Sequence, residues 1–242
     1  MPTPDPAPLH HLGQPVGPPL GAWRPPALPS VHARGRLAAI EPLDAERHTA
    51  PLLDELLPAP PTLWTYLSIG PFEAPRALAG DLAELAARPG WLPFAIAVDG
   101  RAAGFASLLR VEQAHGVCEV GSICLGPSLQ RTTAATEALW LVLANVFAAG
   151  YRRCEWKCDA LNAPSRAAAE RLGFAYEGTF RKATTYKGRS RDTAWYAIID
   201  DDWPLVDAAL QAWLRPDNFD AGGRQRTGLV ELRRQLGSPP PR

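Results

Sequence analysis

The chain reads as an α/β protein with a mixed sheet, and three observations lead there. Helical and strand-like segments alternate from Arg36 to Asp200. The dipeptide Asp99-Gly100 separates two apolar runs, which is the chemistry of a tight hairpin between antiparallel strands. Two strand–loop–helix units, Glu119 to Ala138 and Arg152 to Gly173, each set a polar helix entrance just past the end of a strand.

Taken in order, Arg36 to Leu43 is expected as a first strand, and Asp44 to Leu57 as a helix capped by Asp44 and ended by Pro58. Pro75 to Arg88 is a second helix, closed by Pro89 and Gly90. Phe94 to Val98 and Arg101 to Arg110 are the two arms of the hairpin. Val117 to Leu125 is the next strand, Thr133 to Ala149 a long helix ending at Gly150, and Arg152 to Asp159 a further strand. A short helix opens near Pro164, in the first turn where the missing N–H is harmless, and stops at Gly173, which can take the left-handed cap. Ala175 to Tyr186 and Asp192 to Asp200 are the last strands, joined through Lys187, Gly188 and Arg189.

This alternation spans residues 34–214, expected as one domain. Residues 1–33 form a proline-rich arm with few charges and no periodicity, and residues 215–242 a C-terminal extension ending in a proline-rich tail. The 242 residues carry 25 basic and 25 acidic side chains, so no net field draws the chain to nucleic acid or to an anionic membrane. The longest apolar stretch, Ala138 to Ala149, is interrupted by Asn145 and falls short of the roughly 20 residues that cross a bilayer. The first residues have neither a basic segment nor a continuous apolar one, so a cytoplasmic location is expected. Cys118, Cys124, Cys154 and Cys158 lie in strand-like segments without a C-x-x-C pair and are expected as reduced, buried thiols. The histidines are scattered without ligand spacing, and no metal is expected.

Chemistry concentrates at the two helix entrances. The first turn of a helix presents unpaired N–H groups and the positive end of its dipole, which suits a phosphate. Between Gln130 and Thr136 the side chains are small or donate hydrogen bonds, with Arg131 adding a positive charge. Thr132 or Thr133 serves equally well as the cap of an ordinary core helix. The second entrance, Asn162-Ala-Pro-Ser165, leads into Arg171-Leu-Gly173-Phe174, so two entrances border one crevice beyond the strand ends. Asn162 has a plain role open to it as well, bonding the local backbone.

The run Glu119 to Ala138, then Asn162-x-x-Ser165 and Leu172-Gly-Phe174, resembles the GNAT superfamily and, within it, the RimJ/RimL-type acetyltransferases. Gly150 to Asn162 and Gly188 to Trp195 are similar to a bacterial subgroup of that type, and the likeness extends from about Arg36 to Pro204. It implies a mixed, mostly antiparallel central sheet with splayed strands and flanking helices. It also implies acetyl-CoA as cosubstrate and transfer of the acetyl group to a primary amine, either a protein N-terminus or a small amine. By the same likeness Ile123 and Leu125 offer main-chain groups to the pantetheine arm. Gln130, Arg131, Thr132, Thr133, Ala134, Ala135 and Thr136 cradle the pyrophosphate, and Asn162 and Ser165 meet the arm from the other side. Two positions depart from the family pattern. Thr133 stands where the phosphate loop has its first glycine, and Ala169 where many members carry a tyrosine acid.

An alkyl amine attacks a thioester only when neutral, so the site needs a proton acceptor and a polarised carbonyl. Glu119 is the candidate base, the N–H near Leu125 the candidate polarising donor, and Ser165 a candidate aid to the departing thiolate, with Tyr176 and Tyr186 as alternatives. Trp64, Tyr66 and Phe72, in the connection between the first two helices, are expected to contact the acceptor. Arg189, Arg191 and Asp192 line its entrance from the opposite hairpin, with Arg191 the chosen contact. A homodimer is allowed. Two competing readings are a non-catalytic acyl-CoA binding or sensing module and an interaction domain whose proline-rich arm holds a partner.

Overall fold

The structure is a computed structural model describing residues 9–237. The start of the expected proline-rich arm, residues 1–8, and all but the first residue of the proline-rich tail, residues 238–242, lie outside the described residues. Eight strands form one sheet: β1 (Ala33–Arg34), β2 (Ala39–Pro42), β3 (Leu92–Val98), β4 (Arg101–Glu112), β5 (Val117–Leu125), β6 (Arg153–Asp159), β7 (Ala175–Tyr186) and β8 (Arg189–Ile199). Their spatial order is β1-β2-β3-β4-β5-β6-β8-β7, and every pairing is antiparallel except β5 with β6. The described residues also form six α-helices: α1 (Ala45–Leu56), α2 (Pro75–Ala86), α3 (Thr133–Ala148), α4 (Ala163–Leu172), α5 (Trp203–Leu214) and α6 (Leu229–Leu236). The mixed sheet expected from the alternation is the fold.

Period-2 alternation distributes the apolar side chains over two cores. On one face Leu52 and Leu56 of α1, one turn apart, join Leu78 and Leu82 of α2 against Ala95, Phe105 and Cys124. On the other face Phe94, Ile96, Ala106 and Leu108 meet α3, α4 and α5 through Leu139, Val142, Leu172 and Leu210. All four cysteines are free thiols buried in these cores, and burial pushes the Cys124 thiol up to about 12.

Local chemistry fixes the element ends. Asp44 accepts hydrogen bonds from the N–H groups of Glu46 and Arg47 to open α1. The Asp99-Gly100 turn holds both residues at positive φ, as a two-residue hairpin turn requires. Gly173 ends α4 at φ 112, where an added Cβ would also lie 2.8 Å from Val206, so only glycine serves.

The structure departs from the sequence reading in three places. The first strand shortens to Ala39–Pro42, because the N–H groups of Arg36, Leu37 and Ala38 turn to donate to the buried carboxylate of Glu137 on α3. The last turn narrows to Lys187 and Gly188, both at positive φ, so β8 starts at Arg189 and not at Asp192. Beyond Asp200, where no element is read from the sequence, α5 and α6 pack on each other, and α6 also reaches α4.

One feature of the sheet positions everything that follows. The parallel strands β5 and β6 pair only from Val117 to Glu119 against Arg153 to Glu155. Past that point β5 stays with β4 as far as Leu125 opposite Gly104, while β6 stays with β8 as far as Asp159 opposite Thr193. The two strands therefore splay apart at their carboxyl ends.

Candidate functional site

The splay opens a cleft of about 230 Å3. Its walls are Glu119 to Ile123 of β5, Trp156 to Asp159 of β6, Asn162 and Ser165 at the head of α4, Arg191 of β8, and Tyr66 to Ile69 from the connection between α1 and α2. Midway along the β5 wall the ladder to β4 slips: Cys124 pairs with Phe105 but Gly121 pairs with Ser107, so β5 carries one extra residue. Ser122 sits there at φ 52, a left-handed conformation uncommon for a side-chain-bearing residue. Such a bulge turns backbone groups away from the ladder, here on the cleft wall and next to Ile123.

Glu119 stands at the closed end of the wedge, 6% exposed. Its carboxylate is 2.5 Å from Lys157 Nζ and 3.6 Å from Arg110 Nε. A second bulge, between Leu109 and Glu112, places Arg110 at φ 49 and lets it reach both Glu119 and Glu155. Glu155, the register partner of Glu119, is held by Arg153 at 3.0 Å. Lys157 also lies 4.2 Å above the Trp195 ring, a favourable seat for a cation. The net result of these opposing effects is a raised pKa for Glu119. Burial is the largest cause and outweighs Lys157 and Arg110, while the neighbouring Glu155 adds to the rise. A shielded carboxylate that takes up a proton above the usual range is suited to general-base work.

The opposite wall is built by α4. Asn162 caps the helix, its Oδ1 accepting from Ser165 N–H at 3.2 Å. Ser165 Oγ accepts from Trp156 Nε1 at 3.0 Å, and its hydroxyl also bonds the neighbouring Cys158 sulfur. At the other end of α4, Arg233 of α6 donates to the carbonyls of Glu170 and Arg171 at 3.0 Å each, satisfying the last turn and complementing its dipole. Ala169 is fully buried on the core side of α4, away from the residues that line the cleft.

Beyond the open end of β5, the loop to α3 is tightly braced. Glu55 of α1 accepts from Ser128 N–H at 2.8 Å, and a Cβ on Gly126 would collide with the Glu55 side chain and the Ala103 carbonyl. Gln130 Nε2 donates to the Leu125 carbonyl at 2.8 Å. Thr132 is the N-cap of α3: its Oγ1 accepts from Ala135 N–H at 3.1 Å and donates to the Leu129 carbonyl at 2.7 Å. Thr136 is buried, its hydroxyl shared between the Thr132 carbonyl and Arg171. The N–H groups of Arg131, Thr133 and Ala134 meet no acceptor among the described residues. Three such donors at a helix N-terminus, beside the exposed Arg131, have the chemistry that suits an anion.

The expected acceptor aromatics divide. Tyr66 lines the cleft and donates to the Leu161 carbonyl at 3.1 Å. Trp64 is 3% exposed and meets Phe72 edge to face, so these two brace the connection rather than line the cleft. Trp64 instead borders a neighbouring recess with Tyr186, Lys187 and Arg189. Lys187 pins the connection to the β7–β8 hairpin by donating to the carbonyls of Trp64 (2.6 Å) and Ile69 (2.9 Å). Tyr186 donates to Asp159 at 2.8 Å, and burial with that bond pushes its hydroxyl up to about 12.

The cleft thus gathers Glu119, Ile123, Asn162, Ser165, Tyr66 and Arg191, whereas Gln130 to Thr136 form a separate braced segment past Leu125. Lys157, Arg110, Ser122 and Asp159 enter the site without having been singled out in the sequence. Lys157 was within reach of a sequence argument: it stands two residues from Glu155 on one strand, hence on the same face. Among the described residues no group of three or more His, Cys, Asp or Glu side chains could hold a metal ion, and no helix is long and apolar enough to cross a membrane.

Comparison with known proteins gives the site a context. The family described as acetyltransferase (GNAT) domain matches residues 39–175. The structure is similar to a crystal structure of a GCN5-related N-acetyltransferase from Brucella melitensis, with 40% identity and TM-score 0.85 over 89% of this chain and 100% of that one. It is also similar to a probable GNAT-family acetyltransferase from Chromobacterium violaceum, with 40% identity and TM-score 0.74 over 79% of this chain and 98% of that one. RimJ of Mycobacterium smegmatis, solved in complex with CoA-disulfide, shares the fold at 23% identity and TM-score 0.62, over 72% of this chain and 88% of that one. No curated protein matches.

Proposed function

Since the chain belongs to the GNAT acetyltransferase family, we propose that it transfers the acetyl group of acetyl-CoA to a primary amine held in the cleft between β5 and β6. The observation that carries this reading is Glu119, a buried carboxylate of raised pKa at the closed end of a cleft formed by splayed strands. Glu119 takes the proton from the incoming ammonium, directly or through a water, so that the amine can attack. Lys157 and Arg110 limit how far burial raises its pKa.

The donors present fit the cosubstrate's groups. The unpartnered N–H groups of Arg131, Thr133 and Ala134 suit a pyrophosphate, with Arg131 adding charge. The β5 wall around Ser122 and Ile123 offers backbone to a pantetheine arm and a donor to the thioester oxygen. Since Gln130 already occupies the Leu125 carbonyl, the arm would draw on the bulge more than on Leu125. Ser165, its oxygen accepting from Trp156, would turn its hydrogen from the Cys158 sulfur to a departing thiolate.

The test is thiol release from acetyl-CoA against a panel of amines and peptides. Acceptor-dependent release supports transfer. Ala169, buried and without an acidic hydrogen, favours a second reading, a module that binds acyl-CoA without turning it over. Acetyl-CoA binding with no release for any amine selects that second reading.

A further inference from the structure

Among the described residues, every strong charge on the cleft wall has a partner except one. Glu119 pairs with Lys157. Asp159 spends one oxygen on Leu161 N–H and the other on the Tyr186 hydroxyl, each at 2.8 Å. Asp192, next in sequence to Arg191, accepts from Lys182 N–H at 2.7 Å. Arg191 itself lines the cleft, and its guanidinium finds neither a hydrogen-bond acceptor nor a carboxylate within 4.0 Å among the described residues. Its Nε is buried, so water does not make good the loss. Its one contact of note is the Tyr186 ring, 5.9 Å away, which orients a guanidinium without neutralising it. A planar donor fork left unmatched at a shielded position is built to receive a planar anion, and a carboxylate fits it with two parallel bonds.

The same hairpin adds to the field. Lys187 and Arg189 border the recess adjoining the cleft, and Lys187 donates to two carbonyls without meeting an acid. Arg191 and Tyr66 come from the β8 hairpin and the α1–α2 connection and line the cleft, whereas the head of α3 follows Leu125 on the β5 side and does not line it.

We propose that Arg191 anchors a carboxylate on the acceptor, so that the acceptor is an amine bearing a carboxylate: a free amino acid, or a peptide whose first residue is Asp or Glu. This rests on the acetyl-transfer reading for its catalytic arm, but not for its binding arm. An amine anchored through its carboxylate is held in the cleft in one orientation, which is how a positioning residue raises the rate.

The test uses the common amino acids in three forms: free acids, α-amides, and first residues of otherwise uncharged amidated tripeptides. Release of CoA thiol and calorimetric binding to the CoA-loaded full-length protein are measured for each. In the wild type, kcat/KM for the preferred acceptor should exceed that for its counterpart without the carboxylate, the amide of a free acid or the Asn- or Gln-first form of a peptide, by about tenfold or more, the size expected for a hydrogen bond to a charged partner. Arg191→Gln should abolish that ratio through KM, Arg191→Lys should retain part of it, and both should bind acetyl-CoA as the wild type does. Preference confined to free acids identifies a free amino acid; preference confined to Asp- or Glu-first peptides identifies a peptide terminus. Arg191-dependent binding of the acid without any thiol release sustains the carboxylate anchor while overturning acetyl transfer. No preference in the wild type either for free acids over their amides or for Asp- and Glu-first peptides over Asn- and Gln-first ones, or weaker acetyl-CoA binding in Arg191→Gln with the carboxylate preference intact, overturns the proposal.

Discussion

At the scale of single residues, Glu119 makes the sharpest claim. Glu119→Gln keeps the shape and removes the proton acceptor, so turnover at neutral pH should fall by roughly a hundredfold or more while CoA affinity stays near the wild-type value. Because its pKa is raised, the acid limb of kcat/KM should lie above the ordinary carboxylate range, with activity lost as pH falls through that limb. A wild-type rate in Glu119→Gln, or an acid limb unmoved by the substitution, removes Glu119 from the mechanism. Thr133 makes the second claim, as the first residue of α3 with an unpartnered N–H. If its hydroxyl also donates to the pyrophosphate, Thr133→Val should weaken CoA binding about tenfold. Pantetheine, which lacks that group, should bind both forms equally, and calorimetric titration with the two ligands decides. Glu119, Asn162 and Ser165 were legible in the sequence because each lies at a strand or a helix entrance with a recognisable local pattern. The alternation on β6 could put Lys157 on the face of Glu155, but its nearness to Glu119, and that of Arg110, depends on the β4–β5–β6 register and on the bulge between Leu109 and Glu112.

At the scale of elements, the helix ends were readable wherever a cap or breaker marks them, as at Asp44 and Gly173, and the long α3 declared itself by its apolar run. Helix α6 did not. Leu229 and Leu232, one turn apart, meet the core, but Val230 and Leu236 are exposed and Gly228 provides no side-chain cap, so no entrance signal announces the helix. Its contribution lies in Arg233, which closes the carboxyl end of α4 and thereby steadies the helix whose other end presents Asn162 and Ser165. Arg233→Met retains the aliphatic stem and loses both bonds. We expect a loss of about 1–2 kcal/mol in urea unfolding at unchanged m-value. An unchanged midpoint shows that water replaces the guanidinium without cost.

At the scale of the whole molecule, the mixed sheet and its flanking layers followed from the alternation of periods, but the strand order did not, because nothing local says that β6 lies beside β5 or that β8 separates it from β7. A ligand that binds only the native sheet must stabilise it by mass action. Acetyl-CoA at a hundred times its dissociation constant should add about 2.7 kcal/mol, or roughly 5–10 °C in Tm for a chain of this size. A melting curve insensitive to saturating acetyl-CoA, together with a flat calorimetric titration, rejects the cosubstrate. The short pairing between β5 and β6 has a further consequence. With so little ladder between the two halves of the sheet, their angle is set by α3, which leaves one half at Leu125, packs on β1, β2, β3 and β6, and delivers the chain to the other. A packed helix is a stiff strut, since interiors resist compression as organic crystals do. The gap between the halves is therefore a dimension fixed when the protein folds, and an incoming chain-like molecule finds a slot of preset width that it does not have to pry open.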